Sequence, residues 1–293
     1  MELSSKSEKF TMLTRLIFLT SLVLVVTVFL TGAWPGPLGE PPPSGEPAFV
    51  PQSVPLDDAI QTSGLDGKQL LRKAADALSW RSTPWLKTKI RHTSTGAKVI
   101  SVVEGFLQRG PNHCVRLEWN LADAERFGTL TLVSDGKVIA EARQISNEAA
   151  DVVVERLVEE SPDEPAPAGD VKEETLDRKG AGGPGALLRR LQQTMRDAKT
   201  RTGMLGDKAV IRIAGEMNPG AAPVAPAPID GCQVYLDART LWPWRVEWLT
   251  ARGPKAPREV MRVEFLEPEI AQALSDAACI RMFSYRPKEP RAE

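Results

Sequence analysis

Two histidines, His92 and His113, and three cysteines, Cys114, Cys232 and Cys279, are the chain's whole stock of imidazole and thiol side chains. Neither histidine has companion ligands at metal-binding spacing, and no Cys-x-x-Cys pair is present. His113 and Cys114 are adjacent, but neighbours on a strand point to opposite faces, so they are poorly placed to exchange a proton. The cluster Gly180-Ala-Gly-Gly-Pro-Gly185 has neither the Walker spacing nor G-x-G-x-x-G, and reads as a flexible entry to a helix. Three cation–acid pairs recur with one residue between them: Arg116/Glu118, Arg245/Glu247 and Arg262/Glu264. On strands this predicts a solvated sheet face with cross-strand ion pairs of roughly a few tenths of a kcal/mol each. A glycosidase would need two acids facing each other across a cleft, and nothing singles out such a pair. The expectation is a protein that is not an enzyme and takes no metal or cofactor.

The residues that do form a pattern are large and apolar. From Gln233 to Trp248 the chain alternates with period two on both sides of a short turn. Val234 and Leu236 share one face, and Trp244, Val246 and Trp248 share another, with Arg245 and Glu247 opposite. Asp237 and Thr240 supply the turn, and Pro243 fits a strand start. Met261, Val263 and Phe265 alternate with Arg262 and Glu264. Val115, Leu117 and Trp119 alternate with Arg116 and Glu118. Trp119, Trp244, Trp248, Met261 and Phe265 are the candidate lining of an apolar ligand cavity. The same five residues also read as core where a sheet meets a helix. Strand-borne tryptophans could equally mark a partner-binding face.

These strands need elements to position them. Leu65 to Trp80 carries an apolar stripe of Leu70, Leu71, Ala74, Ala75 and Leu78 and predicts a helix that ends before Pro84. Strands follow over 98–107, 115–119, 128–133 and 138–145, with Ser134-Asp135-Gly136-Lys137 as a hairpin turn. Residues 151–160 suit strand and helix alike. The acidic, Pro-rich stretch 161–174 reads as a disordered loop, continuing to 182 through the Gly/Pro cluster. Ala186 to Lys199 predicts a second inner helix, with Leu187, Leu188, Leu191 and Met195 on one face. Further strands are expected over 209–214 and 259–265, with a helical turn over 270–274.

The remaining bounds come from charge and from the N-terminus. The 37 basic and 38 acidic residues leave a net charge of −1, which gives no electrostatic reason for nucleic-acid binding. Lys6, Lys9 and Arg15 precede an almost unbroken apolar run over 16–30, extending to Trp34. Residues 1–34 are therefore expected to be a signal peptide or a transmembrane signal-anchor, with the remainder translocated across the membrane. Thr31-Gly32-Ala33 suits cleavage, and Trp34 suits a retained interfacial helix. Residues 35–60 are a Pro-rich linker, and 61–290 form the folded domain. One disulfide with one thiol over, or three thiols, are both compatible with the cysteine count.

The order helix, antiparallel strands, helix, antiparallel strands resembles the superfamily of the bacterial lipoprotein carriers LolA and LolB and the LppX-type lipoproteins. The matching residues are Val115-Arg-Leu-Glu-Trp119, the Asp135-Gly136 turn, the Gly-rich start of the middle helix, Tyr235-Leu-Asp-x-x-Thr-x-x-Pro243-x-Arg-Val-Glu247, and Phe283-x-Tyr-x-Pro287. They span roughly residues 65–288. The Pro-rich spacer and the acidic insertion fall outside that pattern. The resemblance implies an α+β fold in which a curved antiparallel sheet forms a half-open β-barrel with helices on its concave side. It further implies non-covalent binding of a lipid, a lipoprotein acyl chain or another apolar ligand between sheet and helices. A membrane-tethered scaffold of the same fold with a filled cavity is the alternative.

Overall fold

A computed structural model describes residues 47–53, 66–96, 100–122, 127–145, 150–157, 169–218, 227–250, 257–270 and 275–284, with 220, 223 and 225 besides. The apolar run over 16–34 and most of the Pro-rich linker lie outside the described residues, as do Tyr285 to Pro287 and all but Ile270 of the helical turn expected over 270–274. No helix among the described residues is long and apolar enough to cross a membrane.

The fold is α+β. Its strands are β1 (Phe49–Pro51), β2 (Leu86–Thr95), β3 (Ile100–Arg109), β4 (Cys114–Ala122), β5 (Phe127–Asp135), β6 (Val138–Ile145), β7 (Asp151–Arg156), β8 (Met195–Leu205), β9 (Lys208–Met217), β10 (Gly231–Asp237), β11 (Pro243–Thr250) and β12 (Arg258–Glu269). Among the described residues four helices accompany them: α1 (Gly67–Ala77), α2 (Gly169–Arg178), α3 (Gly183–Thr194) and α4 (Asp276–Phe283). The strands make one unclosed sheet in the order β1-β8-β9-β10-β11-β12-β2-β3-β4-β5-β6-β7. Every neighbouring pair is antiparallel.

One face of the sheet carries α1, α2 and α3. Leu71 and Ala74 of α1, Leu176 of α2 and Leu188 of α3 are fully buried in a single cluster with Leu107, Val115, Ile213, Val234 and Val246. Laid flat, twelve strands would span about 50 Å, several times the width of a helix. A single cluster drawing on β2–β6 and on β9–β12 therefore requires the sheet to curl around the helices.

Helix α1 shows how that curl is held. It starts at a full capping box: Asp66 accepts from the Gln69 N–H, and the Gln69 side chain accepts from the Asp66 N–H. Its first turn lies on β8 and β9, where a Cβ on Gly67 would come within 2.6 Å of the Ala198 carbonyl and 2.8 Å of Ile213. Its other end meets β3. Arg109, 1% exposed, donates from Nη2 to the carbonyls of Leu78 at 2.8 Å and Thr83 at 2.5 Å, and stacks on Trp80 at 4.8 Å. A guanidinium there meets the negative end of the helix dipole and the carbonyls the helix leaves unpaired. Burial lowers the Arg109 pKa to about 10, so it stays charged at neutral pH. Helix α3 packs beside α1, where Gly185 lies against the Leu78 carbonyl at 2.7 Å from its ideal Cβ.

Several elements depart from expectation. Residues 195–199 do not extend α3. They open β8, which pairs with β9 through the Gly206 turn. Met195 already has an extended backbone at ψ 145°, and Asp197 takes φ 48° at an irregularity in the ladder. Arg, Asp, Ala and Lys suit a helix locally, but pairing along β9 overrides that preference. Helix α2 lies inside the stretch read as a disordered loop, because Leu176 finds a place in the core. Strand β1 lies inside the expected linker, where Phe49 packs on Tyr235 at 5.8 Å between ring centroids. Residues 151–156 are strand. Helix α4 sits on the outer face of the sheet, opposite the other three, where Arg116 Nη1 donates to the Met282 carbonyl.

Replacing Arg109 by Met keeps the bulk and removes the donors to Leu78 and Thr83. The expected loss is about 2 kcal/mol of unfolding free energy in urea, the cost of buried carbonyls left unpaired. A loss under about 0.5 kcal/mol, as at ordinary surface sites, would show that this end of α1 is held by other contacts.

Candidate functional site

Residues paired across an antiparallel sheet share a face, so the strand register lays out the inner surface in rows. One row runs Phe265, Ile90, Gly105, Trp119, Leu130, Arg143. The next runs Val246, Val263, His92, Val103. A third runs Trp248, Met261, Ser94, Ser101. Phe265, Ile90, Val246, Trp248 and Met261 are buried in the core that the helices cover. Trp119, Leu130, Val263, His92 and Val103 are only half-buried. They form an apolar patch on the inner face, continuous with the core and rimmed on β6 by Glu141 and Arg143.

Each strand contributes for a visible reason. Trp119 lies over Gly105, where a Cβ would come within 2.9 Å of the indole and 2.1 Å of the Glu118 carbonyl. A glycine directly across from an aromatic lets the ring lie flat over the neighbouring strand. Strand β2 alternates Leu86, Thr88, Ile90, His92 and Ser94 inward with Lys87, Lys89 and Arg91 outward. Ala225, Ala227 and Ile229, after β9, pack against the same core. Burial lowers the pKa of His92, which keeps the imidazole neutral at neutral pH and compatible with its apolar neighbours. The Trp248 Nε1–H is buried with no acceptor among the described residues.

The five residues expected from sequence separate into three settings. Trp248, Met261 and Phe265 are core, at 3%, 5% and 3% exposure. The Phe265 carbonyl also accepts from Trp242 Nε1 at 3.0 Å, and the two rings meet edge to face. Trp119 belongs to the half-buried patch. Trp244 leaves the row of Val246 and Trp248, because the ladder shifts between Tyr235 and Leu236 and skips it. Its Nε1 donates to Asp237, Lys208 covers its ring at 4.9 Å, and it packs between Leu205, Val210 and Tyr235 on one side and the main core on the other. The patch residues not singled out from sequence are His92, Val103, Leu130 and Val263. The alternation along β2 was the available signal for His92.

The outer face differs from the solvated surface the charge pairs predicted. Arg245 and Glu264 are buried and joined at 2.9 Å, and Arg245 also reaches Glu247 at 3.4 Å and the Pro47 carbonyl at 3.2 Å. Tyr235 donates its hydroxyl to Glu247 at 2.9 Å, and burial with that carboxylate raises the Tyr235 pKa. Arg262 is buried too and pairs with Glu259 rather than Glu264. Arg116 and Glu118 form the expected pair, half-buried. Near the helices, Arg189 joins Glu173 at 2.7 Å and Asp177 at 3.2 Å. Burial raises the Asp177 pKa to about 6. These charges hold elements together, and among the described residues none converges with a second acid on the inner patch.

No family model matches the sequence, and no curated protein matches it. Many solved structures are similar to the chain, and three of them illustrate the likeness. One is a LolA superfamily protein from Nitrosomonas europaea, 9% identical, with a TM-score of 0.31 over 76% of this chain and 99% of that one. Another is a DUF1329 family protein from Desulfovibrio piger, 7% identical, with a TM-score of 0.27 over 74% of this chain and 98% of that one. The third is an outer membrane lipoprotein-sorting protein domain from Vibrio parahaemolyticus, 10% identical, with a TM-score of 0.26 over 74% of this chain and 97% of that one. The scores are low, and no residue role passes from these proteins to this chain.

Proposed function

We propose that the protein is a non-enzymatic component of the bacterial envelope that binds an acyl chain or similar apolar ligand on the inner face of a half-open sheet. The carrying observation is the half-buried patch of Trp119, Leu130, Val263, His92 and Val103, continuous with a fully buried core. An apolar surface left half-covered on the concave side of a sheet gains by burial, at about 0.8 kcal/mol per methylene removed from water. Apart from the His92 imidazole the lining is hydrocarbon and indole. His92 is neutral, and Glu141 and Arg143 stand at the rim where a polar head would meet water. The N-terminal run over 16–34, acting as signal peptide or anchor, and the Pro-rich linker would place this domain on the exported side of the membrane.

The second reading, a tethered scaffold with a filled cavity, is favoured by one observation. Trp248, Met261 and Phe265 are packed to 5% exposure or less, as core residues are. The two readings part on Trp119. In a binder, Trp119→Ala lowers affinity for a fluorescent fatty acid about tenfold, the loss of roughly two methylene equivalents, and leaves the urea midpoint nearly unchanged. Phe265→Ala instead lowers stability by about 3 kcal/mol. Absence of fatty-acid uptake by the intact chain, together with a clean apo mass by native mass spectrometry, would decide for the scaffold.

His92 adds a pH dependence. Its pKa is lowered in the folded chain, so below about 6.5 the unfolded chain takes up a proton that the folded one resists. The contribution is complete above that value and is lost as pH falls towards the folded pKa. Asp177 runs the other way, because its pKa is raised, so its stabilising proton is lost as pH rises towards about 6. The comparison of wild type with His92→Gln isolates the histidine. Between about pH 7.5 and 5.5 the wild-type melting temperature should fall more than that of the variant, and equal falls would mean that His92 stays solvated.

A further inference from the structure

Cys114 and Cys279 lie on the same side of the sheet. In β4, Val115 and Leu117 enter the inner core, so Cys114 and Arg116 point outward. Helix α4 is seated on that outer side. Arg116 Nη1 donates to the Met282 carbonyl at 3.3 Å, and Phe283 is 2% exposed, stacked near Trp85. A Cβ on Gly110 would lie 2.7 Å from the Phe283 ring, so only a glycine allows the ring this close. Gly110 donates its N–H to the Cys114 carbonyl at 2.8 Å, which fixes that backbone beside Cys114. Cys279 precedes Phe283 by four residues and so projects from the same face of α4, one turn earlier. Anchoring Phe283 therefore brings Cys279 towards Cys114.

The two thiols are close enough to influence each other electrostatically. Burial is the main cause that pushes the Cys114 thiol up to about 11, and Asp135 and Cys279 each add to it. The third cysteine is excluded by position. Cys232 pairs across from Trp248 on the inner face and is 1% exposed.

We propose that Cys114 and Cys279 form a disulfide that staples α4 to the outer face of the sheet. The bond forms by exchange with a small disulfide such as oxidised glutathione. One protein thiolate attacks the donor and expels one glutathione thiolate. The second protein thiolate then attacks the mixed disulfide, closes the protein S–S bond and expels the other. Two electrons pass to the donor, and the two protons left by the protein thiols end on the glutathione products. Burial holds the Cys114 thiol protonated, which makes it a slow nucleophile in either step.

The test uses the intact chain equilibrated with oxidised glutathione, alkylated, and digested without reductant. Peptide mass mapping should find the Cys114 and Cys279 peptides joined, with a mass lower by two hydrogens than their sum. Cys232 should be alkylated only after denaturation. Proteolytic release of the segment following Arg281 should slow severalfold on oxidation, recover with reductant, and show no redox effect in Cys279→Ser. Three alkylated thiols after equilibration, a bridge to Cys232, or only intermolecular dimers would each overturn the proposal.

Discussion

Helix α1 is the strut on which the shape of the sheet depends. It runs from the Gly67 contact on β8 and β9 to the Arg109 clasp on β3. Its eleven residues rise about 17 Å, while five strand spacings from β9 to β3 cover about 24 Å along the sheet. A rigid chord shorter than the arc it subtends forces the sheet to bend. The two ends are fixed by different physics. Gly67 permits a backbone-to-backbone approach that any side chain would block. Arg109 satisfies carbonyls that the helix end cannot pair for itself. With both ends held, α3 has one place to pack, beside α1 with Gly185 against Leu78.

The bend separates two interiors. The inner face is filled by aliphatic and aromatic side chains, and its stability comes from surface removed from water. The outer face around β9–β12 is a buried ionic network of Arg245, Glu264, Glu247 and Tyr235, closed by the Pro47 carbonyl. Burying these charges costs desolvation that their mutual attraction only partly offsets, so the network is weak evidence for stability. It serves register better. A slip of one residue between β11 and β12 would carry one of Arg245 and Glu264 into the apolar core and leave the other without its partner. Charge on one face and hydrocarbon on the other thus specify the same alignment.

Legibility in the sequence followed how local each signal was. The β10–β11 hairpin and α1 were readable because their patterns are complete within sixteen residues. Trp248, Met261 and Phe265 were correctly placed on one face for the same reason. Trp244 drops out of the row of Val246 and Trp248 because a bulge leaves no mark on an alternating pattern, though it still packs against the main core. The first five residues of β8, 195–199, were read as helix because Arg196, Asp197, Ala198 and Lys199 suit a helix, and the partner that makes them strand is β9. Helix α2 and strand β1 were missed in segments whose composition is that of linkers, since a single Leu176 or Phe49 with a waiting socket is enough to order them. The outward seat of α4 depends on Gly110, whose missing Cβ has meaning only once Phe283 is known to lie on it.

The distribution of burial constrains what the inner face can hold. Its centre is filled, so a ligand has only the half-buried ground around Trp119, Leu130, Val263, His92 and Val103. Covering about eight methylenes there would release roughly 6 kcal/mol. Association costs of 4–15 kcal/mol, depending on how freedom is counted, take much or all of that away. A ligand held only at this rim would bind weakly and leave quickly. Deep storage would require α1 to retreat, and the Gly67 and Arg109 contacts oppose that movement. If the proposed reading holds, the inner face suits transient contact with an acyl chain whose head stays in water, as in handing over or sensing, better than it suits enclosed transport.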